Sequence, residues 1–228
     1  MTSLAGVAQG LAVWALPLIF AVTLHEAAHG YAALALGDDT ARRMGRISLN
    51  PLRHVDPFGT LLLPGLLLLF GGVVFGWAKP VPVNFSKLRN PRWGMVAVAI
   101  AGPATNLVLA TLCAAVANFI EWVPEPGKVW LIFNLDNAIY LNLLLAVFNM
   151  IPVPPLDGGR VATGLLPRPL AIRFASLEGA GMLIILAALF ILPMIGQRVG
   201  VDLDIFRWLV NGPVDALAHL ILGAVGPT

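Results

Sequence analysis

The chain has 228 residues, of which 58% are hydrophobic and 11% charged, and its formal net charge is +2. Soluble domains carry roughly 25% charged residues, so this composition excludes a soluble globular protein and predicts an integral membrane protein. The few basic residues are scattered in short loops, which excludes a nucleic-acid-binding surface.

Hydropathy divides the chain into six apolar segments, most of them long enough for a helix to cross about 30 Å of hydrocarbon. The polar stretches between these segments are too short to form a soluble domain. We therefore expect a single all-α membrane domain over residues 1–228, with five to six transmembrane segments. The segments cover roughly 4–36, 57–75, 93–120, 129–151, 170–195 and 203–225.

The first apolar segment contains the sequence His25-Glu26-Ala-Ala-His29. Two histidines four residues apart on a helix share one face and can bind the same Zn²⁺. The intervening Glu26 can act as general base on a water molecule at that metal. Ionisable side chains are costly in hydrocarbon and are functional by default, so we expect a zinc site inside the membrane.

The distribution of charge in the loops predicts the orientation of the chain. Arginine and lysine are concentrated in 37–56, 76–92 and 157–173, whereas 121–128 has two glutamates and one lysine. The positive-inside rule assigns the first three stretches to the cytoplasm and the fourth to the outside. The amino terminus is then outside, and His25 and His29 lie towards the cytoplasmic end of their helix.

The second apolar segment, 57–75, cannot cross the membrane once if both of its flanks are cytoplasmic. It contains Pro64 and four glycines, which disfavour a uniform helix. We interpret it as a re-entrant or shallow broken helix; the alternative is an ordinary crossing that violates the charge rule. The residues that follow are rich in β-formers, glycine and proline, which predicts a short membrane-associated β-hairpin near 73–85. Such a hairpin can pair with an unwound peptide.

A catalytic zinc site needs a third protein ligand and an open position for water. The best candidate is Asp157, which follows a proline-rich turn at the cytoplasmic end of the fourth segment. The prolines end the helix and the following Gly158-Gly159 allows the chain to approach closely. The alternatives are that Asp157 caps the helix that begins at Gly158, or that it serves both roles.

These motifs resemble the site-2 protease family of intramembrane zinc metalloproteases. That family pairs an HExxH helix with an NxxPxxxLDG helix, and here the second motif is Asn149-Met-Ile-Pro-Val-Pro-Pro-Leu-Asp157-Gly. A third family signature matches Gly102-Pro-Ala-Thr-Asn106. The resemblance covers about 20–160, and it is closest to small bacterial-type members because the chain has no room for a PDZ or CBS domain.

The resemblance implies a role for each residue of the motifs. His25, His29 and Asp157 would hold one catalytic Zn²⁺. Glu26 would activate the water and then pass a proton to the leaving amine. Asn149 would bind the peptide carbonyl or its oxyanion.

Two further residues are candidates for lining the site or positioning the substrate. Asn106 belongs to the third signature, and its alternative role is a hydrogen bond between helices. His54 lies in a stretch that resembles small bacterial members, and its alternative role is a hydrogen bond within its loop.

The family resemblance implies hydrolysis of peptide bonds within or next to the transmembrane segments of membrane-anchored proteins. The expected partners are single-span substrates and the lipid bilayer, and the expected location is a bacterial inner membrane with the active site towards the cytoplasm. The catalytic core would cover about 4–160, with helices of 170–225 as a lateral gate. The alternatives are an inactive membrane-binding homologue and a metal transporter.

Overall fold

The computed structural model describes residues 4–63, 65–66 and 76–227, and every regular element in this part of the chain is helical. Short 3₁₀ and π turns join the α-helices, and π turns at 187–191 and 207–211 extend the last two long helices. In chain order the α-helices are α1 (Leu4–Ala35), α2 (Thr40–Arg43), α3 (Pro91–Ala117), α4 (Gly127–Asn149), α5 (Asp157–Leu165), α6 (Arg168–Ala175), α7 (Glu178–Leu186), α8 (Leu192–Val199) and α9 (Gly212–Val225).

Among the described residues, five helical stretches are long and apolar enough to cross a membrane. They correspond to the first, third, fourth, fifth and sixth predicted segments, which confirms the all-α membrane class. Their bounds are Ala12–Ala35, Pro91–Ala117, Gly127–Asn149, Glu178–Val199 and Arg207–Val225.

The second apolar segment begins with a π-helical turn at Pro57–Leu62, capped by the Asp56 side chain. Residues 67–75 lie outside the described part, but the chain on either side of them is in contact. The Trp77 N–H donates to the Gly59 carbonyl at 3.1 Å, and the Lys79 N–H donates to the His54 carbonyl at 2.8 Å. The two ends of the segment therefore lie side by side.

The predicted β-hairpin near 73–85 is wrong for the residues that the structure describes. Residues 76–84 form neither strand nor helix, and 85 begins a 3₁₀ turn; 73–75 lie outside the described residues. Pro80 and Pro82 have no N–H to donate to a ladder. The N–H groups of Val81 and Asn84 donate to carboxylates instead.

The buried centre of the bundle lies where α3, α4 and α9 meet. Alanines of α3 allow the neighbouring helices to approach closely, as small residues do in membrane bundles. The centre consists of Ala110, Ala114, Ile139, Leu143, Val210 and Val214.

The three basic polar stretches meet at one end of this bundle. Lys87 lies 3.4 Å from the Asp39 carboxylate, which joins 76–92 to 37–56. Arg92 donates to the carbonyl of Gly164, which joins 76–92 to the stretch after α4. The charge rule assigns these three stretches to the same side of the membrane. The contacts between them place them at the same end of the molecule.

Candidate metal centre

His25 and His29 of α1 converge with Asp157, the first residue of α5. The Nε2 atoms of the two histidines are 3.1 Å apart, and each is 3.2 Å from Oδ2 of Asp157. All three side chains are buried. The structure therefore brings together the three residues that the sequence predicts as metal ligands, from motifs 128 positions apart in the chain.

The tautomer of His29 is fixed by a backbone carbonyl. Its Nδ1 lies 2.7 Å from the carbonyl oxygen of Val98. A carbonyl can only accept a hydrogen bond, so the proton of the neutral ring is on Nδ1. The lone pair of Nε2 then faces the other ligands.

The tautomer of His25 is fixed in the same way by an asparagine on α3. The Nδ2 of Asn106 donates to the Ala21 carbonyl at 3.2 Å and to Oδ1 of Asn142 at 2.7 Å. The amide oxygen of Asn106 must therefore accept, and it lies 2.5 Å from Nδ1 of His25. The Nε2 of His25 is thus also an unprotonated acceptor.

Three acceptor atoms facing one another repel unless a cation lies between them. Oδ2 of Asp157 is buried and has no hydrogen-bond donor in the described structure. Zinc bonded to nitrogen and oxygen ligands at 2.0–2.1 Å in a tetrahedron places those ligands about 3.3 Å apart. The separations of 3.1–3.2 Å fit three corners of such a tetrahedron. The group supplies three ligand atoms, which leaves the fourth corner for water.

The turn before α5 brings Asp157 into position. A Cβ on Gly158 would collide with the carbonyl of Met150, and one on Gly159 would lie 2.5 Å from the nitrogen of Pro154. The chain after α4 therefore folds back tightly over the two glycines, which explains the Gly-Gly of the motif. Leu156 takes the N-cap position of α5, so capping is not the role of Asp157.

Gly102 provides the space for the two histidine rings. A Cβ at this position would lie 2.5 Å from Nε2 of His29 and 2.7 Å from Cε1 of His25. The glycine of the third signature is thus required by the close approach of α3 to the His25 and His29 rings.

Arg92 is a residue whose role the sequence did not indicate. Its Nε donates to the Gly164 carbonyl at 2.5 Å and its Nη2 to the Leu165 carbonyl at 3.0 Å. These bonds tie the end of α5 to the start of α3. A sequence motif cannot reveal them because the acceptors are backbone atoms more than seventy residues away.

Glu26 lies on the same helix as the two histidines, and its carboxylate is half-buried. Oε2 accepts a hydrogen bond from the Val81 N–H at 2.8 Å. The candidate general base is thus held by the extended segment that follows the second apolar segment.

Asn149 and His54 have partners outside the ligand triangle. The amide of Asn149 donates to the Leu145 carbonyl of its own helix at 3.0 Å. His54 is buried with its Nε2 2.8 Å from the carbonyl of Ser48. Neither residue belongs to the group that can hold a metal ion.

The protein-family model of peptidase family M50 matches residues 13–134 and 127–192 of the chain. The chain belongs to this family, which is the site-2 protease family. No solved structure matches the chain.

Similar proteins are named as zinc metalloproteases. YwhC of Bacillus subtilis is 39% identical to this chain over 78% of this chain and 79% of its own length. Rip2 of Mycolicibacterium smegmatis is 32% identical over 61% of this chain and 52% of its length. Rip2 of Mycobacterium tuberculosis H37Rv is 28% identical over 90% of this chain and 75% of its length.

Family M50 confirms the predicted activity and cofactor. The protein is an integral membrane zinc metalloprotease, and intramembrane cleavage is the known activity of its family. The bilayer is accordingly its surrounding medium.

Proposed function

We propose that the protein cleaves single-span membrane proteins within or next to their transmembrane segments, using zinc held by His25, His29 and Asp157. The observation that carries this proposal is the buried triangle of three acceptor atoms, 3.1–3.2 Å apart, on helices of a membrane bundle. The three acceptor atoms of such a triangle repel one another unless a cation lies between them, and their spacing fits zinc.

Zinc supplies Lewis-acid activation of water and of the peptide carbonyl. Glu26 takes the proton from the attacking water and delivers it to the leaving amine. The ligands are buried, so bulk water is kept away from the charges that develop during the reaction. Electrostatic interactions that stabilise those charges are stronger in such surroundings.

The asparagines have different proposed roles. Asn149 binds the peptide carbonyl or its oxyanion through an amide N–H, since the Leu145 carbonyl uses only one of the two N–H donors of this side chain. Asn106 is fully buried and bonds to His25, which favours positioning of a ligand over contact with substrate.

His54 is proposed to anchor its loop. The support is its burial and its contacts with the carbonyl of Ser48 through the ring and with the Lys79 N–H through the backbone. These contacts favour the loop role over a site-lining role.

We propose that the active site faces the cytoplasm, in a bacterial inner membrane. The support is that the basic stretches 37–56, 76–92 and 157–173 meet at one end of the bundle. This is the end at which α4 finishes and the chain turns towards Asp157. The second apolar segment is proposed to be re-entrant, because the contacts of Trp77 and Lys79 return the chain to the place where it entered.

The helices of 170–225 are proposed to form a lateral gate beside a catalytic core of about 4–160, within one domain. An apolar cavity of about 130 Å³ lies between the end of α4 with the chain that follows it and these helices, lined by residues that include Phe148, Leu156, Ile185 and Phe206. Separation of apolar surfaces here would open a path from lipid towards Asp157.

The decisive experiment measures zinc content and cleavage of a single-span test substrate by purified wild type, Glu26→Gln and His25→Ala. We expect Glu26→Gln to keep zinc and lose cleavage, and His25→Ala to lose both. Wild type that binds zinc but cleaves no membrane substrate would favour an inactive homologue. Zinc flux into proteoliposomes without cleavage would favour a transporter.

A further inference from the structure

The extended segment after the second apolar segment lies along α1 and contacts the candidate base. The Val81 N–H donates to Oε2 of Glu26 at 2.8 Å. Val81 itself is buried. Its side chain packs against Gly30, one helical turn after Glu26 on α1; a Cβ on Gly30 would lie 3.2 Å from the Val81 side chain. The hydrogen bond is thus formed between packed surfaces and not by a loose loop.

The local sequence explains why this segment offers a single donor. Residues 79–82 read Lys-Pro-Val-Pro, and both prolines lack an N–H. A residue that precedes proline is restricted to extended conformations, which applies to Lys79 and to Val81. The Val81 N–H is therefore the only main-chain donor of residues 80–82, on a stiff stretch of chain.

The segment is also clamped on both sides of Val81. Nη2 of Arg46 lies 3.0 Å from the Lys79 carbonyl and 3.3 Å from the Pro80 carbonyl. On the other side, the Asn84 N–H donates to Oδ2 of Asp38 at 2.6 Å. These contacts hold the donor in place before substrate arrives, and positioning of this kind supports catalysis because no reorganisation is needed during the reaction.

We propose that the Val81 N–H is a positioning group for the general base. It fixes one oxygen of the Glu26 carboxylate and so sets the direction of the other, which takes the proton from water. The proposal rests on the role of Glu26 in the proposed function.

The test removes the donor and leaves the side chain in place. Val81 is replaced by 2-hydroxy-3-methylbutanoic acid, which exchanges the amide for an ester, and Val81→Pro is the encoded counterpart. Val81→Ala, which keeps the N–H and shortens the side chain, is the matched control. Zinc content, helical content, kcat and KM for a single-span substrate are measured for each.

We expect the ester and Val81→Pro to lower kcat about 10–100-fold, the range for a hydrogen bond to a charged group. Zinc content and KM should be unchanged, and Val81→Ala should lower kcat less than the ester does, because it loses side-chain packing but keeps the donor.

Wild-type kcat in the ester protein would overturn the proposal. Loss of zinc or of helical content in the ester protein would also overturn it, because the bond would then be structural. Full activity of Glu26→Gln would instead defeat the proposed function itself, so the two failures are distinguishable.

Discussion

Nδ1 of His25 lies 2.5 Å from Oδ1 of Asn106, and this one asparagine connects three helices around the candidate metal site. Its Nδ2 reaches the Ala21 carbonyl on α1 and the Asn142 side chain on α4. Because both bonds are donated, the amide oxygen is left to accept from His25. The hydrogen-bond network of the bundle thus determines which nitrogen of the histidine can bind zinc.

Removal of the Asn106 amide should weaken zinc binding. We expect Asn106→Ala to lower zinc affinity about 10–100-fold, as loss of an outer-shell partner does in other zinc sites. Competition with a chelator series measures the affinity. Thr111→Val, on the same helix, removes a hydroxyl that donates to the Leu107 carbonyl of α3; it is the control and should bind zinc normally. Equal affinities for both variants would show that Asn106 does not orient His25.

A methyl group at position 102 should exclude the metal. In Gly102→Ala the new Cβ would lie 2.5 Å from Nε2 of His29, well inside van der Waals contact, so the ring must leave its position. We expect loss of bound zinc and of cleavage with the helical content retained. Gly179→Ala adds the same group where nothing lies within 4 Å and should behave as wild type. Zinc bound at full stoichiometry in Gly102→Ala would contradict the geometry of the site.

Asp38 should be a stabilising carboxylate whose contribution depends on pH. Burial by itself would raise its pKa, but hydrogen bonds from the Thr40 side chain and N–H and from the Asn84 N–H hold the pKa below its usual value of 3.8. A folded-state pKa below the unfolded one means stability that is complete above about pH 4 and lost as the pH falls through the folded pKa.

Replacement of Asp38 tests this assignment. We expect Asp38→Ala to lower the free energy of unfolding by about 1–3 kcal/mol at pH 7, since several donors lose a buried partner, and the difference from wild type to shrink below about pH 4. Denaturation in detergent at pH 3–7 measures it. Asp39→Ala removes the neighbouring, partly exposed carboxylate, which pairs with Arg43 and Lys87 in the described structure, and should change stability little. A constant difference across this pH range would refute the charged role of Asp38.

A covalent link across the apolar cavity should block the proposed gate. The rings of Phe148 and Phe206 are 6.2 Å apart between their centroids, so Phe148→Cys and Phe206→Cys, in a Cys113→Ala background, can be joined by a short cleavable crosslinker. We expect the joined protein to lose cleavage of a membrane substrate and to recover it when the linker is cut. The single-cysteine proteins, treated with the same reagent, provide the control. Undiminished cleavage by the joined protein would exclude a gate at this position.

The sequence was most informative where a residue type has few uses in a membrane. His25 and His29 in an apolar helix, followed much later by Asp157 after a proline-rich turn, predicted a zinc site because each of these groups is costly in hydrocarbon without a metal. The prediction was least successful at 73–85, where β-forming residues suggested a hairpin. Composition cannot show that Pro80 and Pro82 would interrupt a ladder, or that the N–H groups of Val81 and Asn84 donate to carboxylates instead.

The sequence by itself determined the membrane class, the spans and the candidate ligands, because hydropathy and ligand chemistry act locally along the chain. Only the tertiary structure decided how those ligands are held. Asn106 and the Val98 carbonyl fix the tautomers, Gly102 makes room for the rings, and the Val81 N–H binds Glu26. Each of these contacts joins groups that are distant in sequence, and several use backbone atoms, which every residue has and no motif can mark.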